Sequence, residues 1–423
     1  MKNGKDTEGA YKDARERYAR VGVDTSKALE ILGGVSLSLH CWQGDDVGGF
    51  ERPDSRLKGG GLQVTGNYPG KARTPEELRM DLSKACSLIP GSHRLNLHAI
   101  YGEFGGKTVS RDEIEPSHYR GWLDWARSEN LGLDFNCTCF SHPLADSGLT
   151  LSHKDSGIRG FWIEHVKRCR EISAYFGREL EKTCIHNLWI PDGIKDIPMD
   201  RWSHRKLLKG SLDEIFSREY SPFEMRDALE SKLFGIGSES FVVGSHEFYL
   251  GYAQKTGKMV CLDLGHFHPT ESIADKISAI MLFSDELLLH VSRGIRWDSD
   301  HIAVCNDELR EVAGEIVRNG LLGRAHLALD YFDASMNRVG AWVIGARATL
   351  MCLLEALLEP HQQLLKAEED GDYFSRLALR EEMKTFPFGA VWDRFCEIHG
   401  VPVKTTWIED VLEYDENVTR KRS

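Results

Sequence analysis

No Cys-x-x-Cys pair occurs among the ten cysteines of this 423-residue chain, so neither a zinc-finger spacing nor a disulfide framework can be read from it. Cys137 and Cys139 share one face of an expected strand, and the others sit in apolar segments, the setting of buried, reduced thiols in a cytoplasmic protein. The opening stretch MKNGKDTEGAYKDARERY has no apolar core for a secretion signal. Further on, no run reaches the roughly 18 apolar residues expected of a membrane-spanning helix. A positive surplus is missing too. The 53 Lys and Arg face 65 Asp and Glu, a formal charge of −12, which argues against a nucleic-acid partner because phosphate affinity comes chiefly from Lys and Arg. The short tail Arg420, Lys421, Arg422 does not reverse that balance, and no glycine-rich nucleotide fingerprint is present. What is there, 41% hydrophobic and 28% charged residues, fits a soluble globular protein with a large interior.

Apolar patterning divides the chain into repeated units. An amphipathic helical arm is expected over residues 8–32, where Tyr11, Ala14, Tyr18 and Val21 recur at helical spacing. Eight strand-like segments follow: VSLSLHCW (35–42), RLNLHAIY (94–101), GLDFNCTCF (132–140), TCIHNLWI (183–190), ALESKLFGI (228–236), VCLDLGH (260–266), LLLHVSR (287–293) and AHLALDYF (325–332). Helical patterns separate them, among them residues 74–87 with Pro75 in the first turn and Glu76 and Glu77 suited to the helix dipole. Strand and helix alternating eight times predict an α/β fold, a (β/α)₈ TIM barrel with an N-terminal helical arm and a C-terminal helical extension. The corresponding divisions are residues 1–34, 35–357 and 358–423. A long glycine-rich loop through residue 73 follows the first strand, a length that marks a functional or interaction segment.

In a barrel of this type, reactive groups come from the C-terminal strand ends. Glu230 on the fifth strand, Asp263 and His266 on the sixth, His290 with Asp298 and Asp300 at the seventh, and Asp330 on the eighth converge there. These seven carboxylates and imidazoles, with no matching Lys or Arg in the same strands, fit two adjacent divalent cations. Asp298 and Asp300 point the same way if their segment is extended. Each residue also has a plainer reading: Asp-x-Asp as a solvated turn, His290 as a core histidine, the segment HFHPTE as a helix entry. Lys232, two residues after Glu230, projects toward the same centre if the strand continues. His98, Trp42 and Trp189 at other strand ends are the aromatic groups that line sugar sites, although singly each is ordinary core.

The segments HCWQGDDVGGFE (40–51), GNYPGKAR (66–73), CFSHPL (139–144), WIPDG (189–193), ESKLFGIG (230–237), GHFHPTE (265–271), RWDSDH (296–301) and LDYFDAS (329–335) together resemble the L-rhamnose isomerase family, and the likeness runs along nearly the whole chain. That family comprises xylose-isomerase-like barrels that interconvert L-rhamnose and L-rhamnulose, usually as homotetramers. The resemblance implies that Glu230, Asp263, His290 and Asp330 hold one ion and that His266, Asp298 and Asp300 hold a second, with Asp263 bridging. Mn²⁺ is the expected metal, with Co²⁺ or Zn²⁺ as alternatives, two ions per subunit. Lys232 matches a position near the reacting carbons, and His98 and Trp189 match substrate-pocket positions. Carbonyl transfer from C1 to C2 is expected to proceed by a metal-assisted 1,2-hydride shift with a metal-bound water. An enediol route would instead call for a base among Asp330, His98 and Lys232. A different metal-barrel enzyme on sugars, such as a related aldose isomerase or epimerase, or a sugar-binding barrel without catalysis, is the alternative. No nucleic-acid or membrane partner is expected.

Overall fold

In a computed structural model that describes residues 4–51, 64–232, 239–295 and 300–422, eight parallel strands close on themselves in sequence order. They are β1 (Ser36–His40), β2 (Ser92–His98), β3 (Gly132–Asn136), β4 (Cys184–Leu188), β5 (Met225–Glu230), β6 (Met259–Asp263), β7 (Leu287–Val291) and β8 (Ala325–Leu329). β8 returns to β1 through Leu37 opposite Leu327, which completes the barrel. Each expected strand is present. All eight expected spans run past the observed C-terminal end, by two residues at Arg293 and by as many as six at residue 236, residues 233–236 lying outside the described residues. The excess falls where the chain leaves the sheet for the loops above it. After β2, Ala99–Tyr101 is already a 3₁₀ turn, and after β3, Thr138 takes a left-handed φ of 53°.

One set of strand residues faces outward and fuses with the helices into a continuous core that includes Leu37, Leu97, Phe135, Leu229, Leu262, Leu289 and Leu327. The covering helices are α3 (Pro75–Cys86), α4 (Arg120–Ser128), α5 (Ser156–Leu180), α6 (Arg201–Ile215), α7 (His246–Thr256), α8 (Ile273–Met281), α9 (Asp307–Arg318) and α10 (Arg338–Leu357). The start of α3 follows its sequence signals: Thr74 accepts from the Glu77 amide, with Pro75 next in line.

Two expectations need correction. The N-terminal arm is two helices, α1 (Gly4–Ala19) and α2 (Thr25–Gly33). Gly22 turns left-handed at φ 76° between them, and Asp24 caps the second by accepting from the Ser26 and Lys27 amides. The extension, whose helical patterns in the sequence cover 374–384, 391–398 and 407–418, holds a further helix, α11 (His361–Glu369), before α12 (Tyr373–Met383), α13 (Phe388–Ile398) and α14 (Thr406–Asn417). Among the described residues α10 is, by length and composition, apolar enough to cross a membrane, yet 78% of that window is buried inside the molecule. An uninterrupted-run criterion stops at Arg347. That side chain is buried, donates to the Leu88 carbonyl at 3.0 Å and packs beneath Trp392 and Trp407.

Two further facts bear on the sequence reading. All ten cysteines are free, eight of them buried and Cys86 and Cys305 partly so. Two of the three basic residues of the tail are paired internally: Arg422 with Asp81 at 2.6 Å and Arg420 with Asp415 at 2.8 Å.

Candidate metal centre and active site

Alternation along the strands decides which side chains meet inside the barrel. Ala228, Cys261, Leu288 and Ala328 join Ile185 and Met259 in a small apolar cluster separate from the main core. Two residues further along the same strands, or just past them, stand Glu230, Asp263, His290 and Asp330, and Asn187 stands two beyond Ile185. The parity that builds the apolar plug thus gathers the polar groups above it.

Ligand-type atoms of Glu230, Asp263, His290 and Asp330 lie within 4.8 Å of one another. His290 Nδ1 is 2.9 Å from Asp330 Oδ2, 3.3 Å from Glu230 Oε1 and 3.8 Å from Asp263 Oδ2. Asn187 Nδ2 donates to Glu230 Oε2 at 2.5 Å. The Gly265 amide and the Ser292 hydroxyl donate to Asp263 Oδ1 at 2.6 and 3.2 Å. His266 borders the group, its Nδ1 3.5 Å from Glu230 Oε1.

Burial and charge pull against each other here. Burial alone lowers the pKa of His290, but Cys261, Glu230 and Asp330 around it raise it well above the usual imidazole range. Burial would raise Glu230, yet His290, His266 and the Asn187 bond bring it below its ordinary value, whereas burial prevails at Asp330 and raises it. Three carboxylates meeting at one imidazole need positive charge in the middle, and a proton on His290 supplies only part of it. Oxygen-rich donors with one imidazole, held in place by Asn187, Ser292 and a backbone amide, fit a divalent cation.

The remaining candidates are distributed as follows. Asp298 lies outside the described residues. Asp300 is left-handed at φ 42° rather than extended, and its carbonyl accepts from the Phe332 amide at 3.2 Å, which ties this loop to the end of β8. Lys232 falls beyond the last residue of β5, where the strand alternation no longer governs it. It is buried, donates to the Pro191 carbonyl at 2.9 Å and pairs with Glu239. That pair sits beside a short antiparallel ribbon, Gly193–Ile194 with Phe241–Val242.

Rings form a wall on the opposite side of the barrel. Trp42 stacks on His98 with centroids 4.1 Å apart, and Trp189 meets Phe140 edge-on at 5.7 Å. Phe332 approaches Trp42 from a third side at 6.1 Å. Burial lowers His98 well below the usual range, so its imidazole is neutral. Its Nδ1 lies 3.1 Å from the Thr138 hydroxyl, while Nε2 is buried with no partner among the described residues.

Sequence reasoning passed over Asn187, Ser292, Glu239, Phe140 and Phe332. For Asn187 a signal existed, since it has the inward parity of β4. Glu239 had none, because its partner Lys232 was assigned to a strand that ends earlier.

A closed parallel barrel whose strand ends gather buried hard ligands beside an aromatic wall has the build of a (β/α)₈ enzyme with a candidate metal centre at its mouth. The family model for L-rhamnose isomerase (RhaA) matches residues 5–422. The L-rhamnose isomerase of Rhodopirellula baltica is 56% identical over 423 residues, covering 100% of this chain and 99% of that protein. Its counterpart in Listeria monocytogenes serotype 4a is 55% identical over 412 residues, 97% of this chain and 98% of the other. That of Citrobacter koseri is 54% identical over 416 residues, 98% and 99%. The chain belongs to the L-rhamnose isomerase family and is an isomerase.

Proposed function

We propose that this chain interconverts L-rhamnose and L-rhamnulose, and the single observation that carries the reading is the convergence of Glu230, Asp263, His290 and Asp330 at the mouth of a barrel of this family. These four would hold one divalent ion, and His266, Asp298 and Asp300 would hold a second. Mn²⁺ is the working metal. When bound, the ions supply Lewis acidity toward the sugar carbonyl and its neighbouring hydroxyl.

The protein groups do the rest. Trp42, His98, Phe140 and Trp189 exclude water from the apolar face of the sugar. The bare Nε2 of neutral His98 takes a hydrogen bond with a sugar hydroxyl. The ammonium of Lys232, fixed by Pro191 and Glu239, steadies charge on the oxygen next to the migrating hydrogen. One hydrogen passes from C2 to C1 as a proton passes from O2 to O1, so aldose and ketose differ by no atom. Asp330 and His98 complete the catalytic set with Lys232.

Residues 35–357 act as the catalytic barrel, 1–34 as an arm and 358–423 as an extension, in a cytoplasmic homotetramer without nucleic-acid or membrane partners. Ten free cysteines support a reducing compartment. The exposed Phe374 and Leu377 of α12 support burial by a neighbouring subunit. The test is metal-stripped protein with L-rhamnose: ketose should form only after Mn²⁺ is restored. Full conversion by demetallated protein would overturn the assignment.

A further inference from the structure

Beneath the carboxylates the barrel is not purely apolar. Cys261 lies two residues before Asp263 on β6 and opposite Glu230 in the strand register. Its sulfur and ligand-type atoms of Glu230 and His290 lie within 4.8 Å of one another, and all three residues are buried. The plain account of Cys261 is a small hydrophobe filling the plug with Ala228 and Leu288. Two facts go beyond that account. The thiol shares a short-range donor set with a carboxylate and an imidazole, and Nε2 of His290, which is 1% exposed, has no hydrogen-bond partner among the described residues.

Sulfur, nitrogen and oxygen in one set form a different preference from the set above it. Hard ions favour the three carboxylates, whereas soft or borderline ions favour a thiolate with an imidazole. The two sets share Glu230 and His290, so they cannot both be filled. We propose that Cys261, Glu230 and His290 form a second, deeper cation position that takes a soft divalent ion such as Cd²⁺ or Zn²⁺ and excludes the harder ion from the upper set. On binding, the S–H bond breaks, its proton leaves to water, and the sulfur lone pair bonds the cation, with no change of oxidation state. The inference rests on the proposed upper set only in sharing two of its ligands.

The experiment uses the full-length, metal-stripped chain without sugar. Added Co²⁺ or Cd²⁺ should produce thiolate-to-metal absorption, and saturating Mn²⁺ should suppress it because Glu230 and His290 are shared. Cys261→Ser and Cys261→Ala should abolish that absorption and weaken Cd²⁺ binding at least about tenfold, while Mn²⁺ affinity shifts by less than about threefold. Absence of the absorption in the unaltered chain overturns the proposal. So does absorption that Mn²⁺ leaves untouched, or that survives loss of the Cys261 thiol. If neither variant folds, the Mn²⁺ competition in the unaltered chain decides alone. Failure to convert L-rhamnose would leave each of these outcomes readable.

Discussion

Glu230 owes its position to Asn187 as much as to its own strand. The Asn187 amide donates to Glu230 Oε2 at 2.5 Å from β4, fixing one carboxylate oxygen while the other faces His290 and His266. Partners of this kind orient a ligand, and their loss typically costs about 10–100-fold in metal affinity. Asn187→Ala should therefore weaken Mn²⁺ binding by about that factor, read by competition with a chelator of known affinity, and leave the fold intact. Unchanged affinity would show that Glu230 is held by its strand alone. Glu230, Asp263 and His290 were legible in the sequence because a strand's period of two continues to its last residue, and Asp330 keeps that parity one residue past β8. Lys232 and Asp300 show where that rule stops. One lies past the end of β5 and turns to Glu239, the other takes a left-handed φ of 42°, and neither orientation follows from spacing.

At the scale of elements, helix–strand alternation was readable throughout because each buried strand is a short apolar run between polar stretches. Close approaches were not readable. Gly177, deep in α5, lies against the segment that leads into β5, and a Cβ there would stand 1.6 Å from the Glu224 carbonyl oxygen. Gly160, earlier in the same helix, is exposed with no atom within 4 Å of such a carbon. The same substitution should consequently have opposite signs at the two positions. Gly177→Ala should destabilise by about 1–3 kcal/mol or more through overpacking. Gly160→Ala should stabilise by about 0.5–1 kcal/mol through helix propensity and a stiffer unfolded chain. Urea unfolding at constant metal concentration measures both. Equal effects would mean that the α5 contact with Glu224 relaxes without cost. The break between α1 and α2 has a similar origin, since one glycine and one capping aspartate interrupt a continuous apolar stripe.

Across the whole molecule, the two most distant features of the sequence, the glycine-rich loop and the basic tail, are parts of one clasp. The returning arm of the loop packs Gly66 against the backbone of Ala334 beyond β8 and Gly70 against Thr419 near the C-terminus. The Tyr68 hydroxyl donates to Asp415 at 2.6 Å, and Arg422 donates to the Gly70 carbonyl at 3.3 Å. The clasp closes on α3, where both terminal nitrogens of Arg422 reach Asp81 at 2.6 and 2.7 Å and the Tyr414 hydroxyl adds a third bond at 2.8 Å. The Asp81 and Arg422 side chains are 2% and 5% exposed, so this is a buried ion pair rather than a surface one. Removing one partner of such a pair costs about 3–5 kcal/mol because the other charge is left uncompensated, whereas apolar replacement of both is often neutral. Arg422→Met should accordingly lower stability by about that amount, and adding Asp81→Leu should recover most of it in spite of the orphaned Tyr414 hydroxyl. Urea midpoints of the unaltered chain, the single variant and the double variant give the comparison. A loss below about 1 kcal/mol in Arg422→Met would mean that water reaches the pair as it does at an exposed one. The tail would then be a trailing end, not the closure that ties the loop above the site to the helices around the barrel.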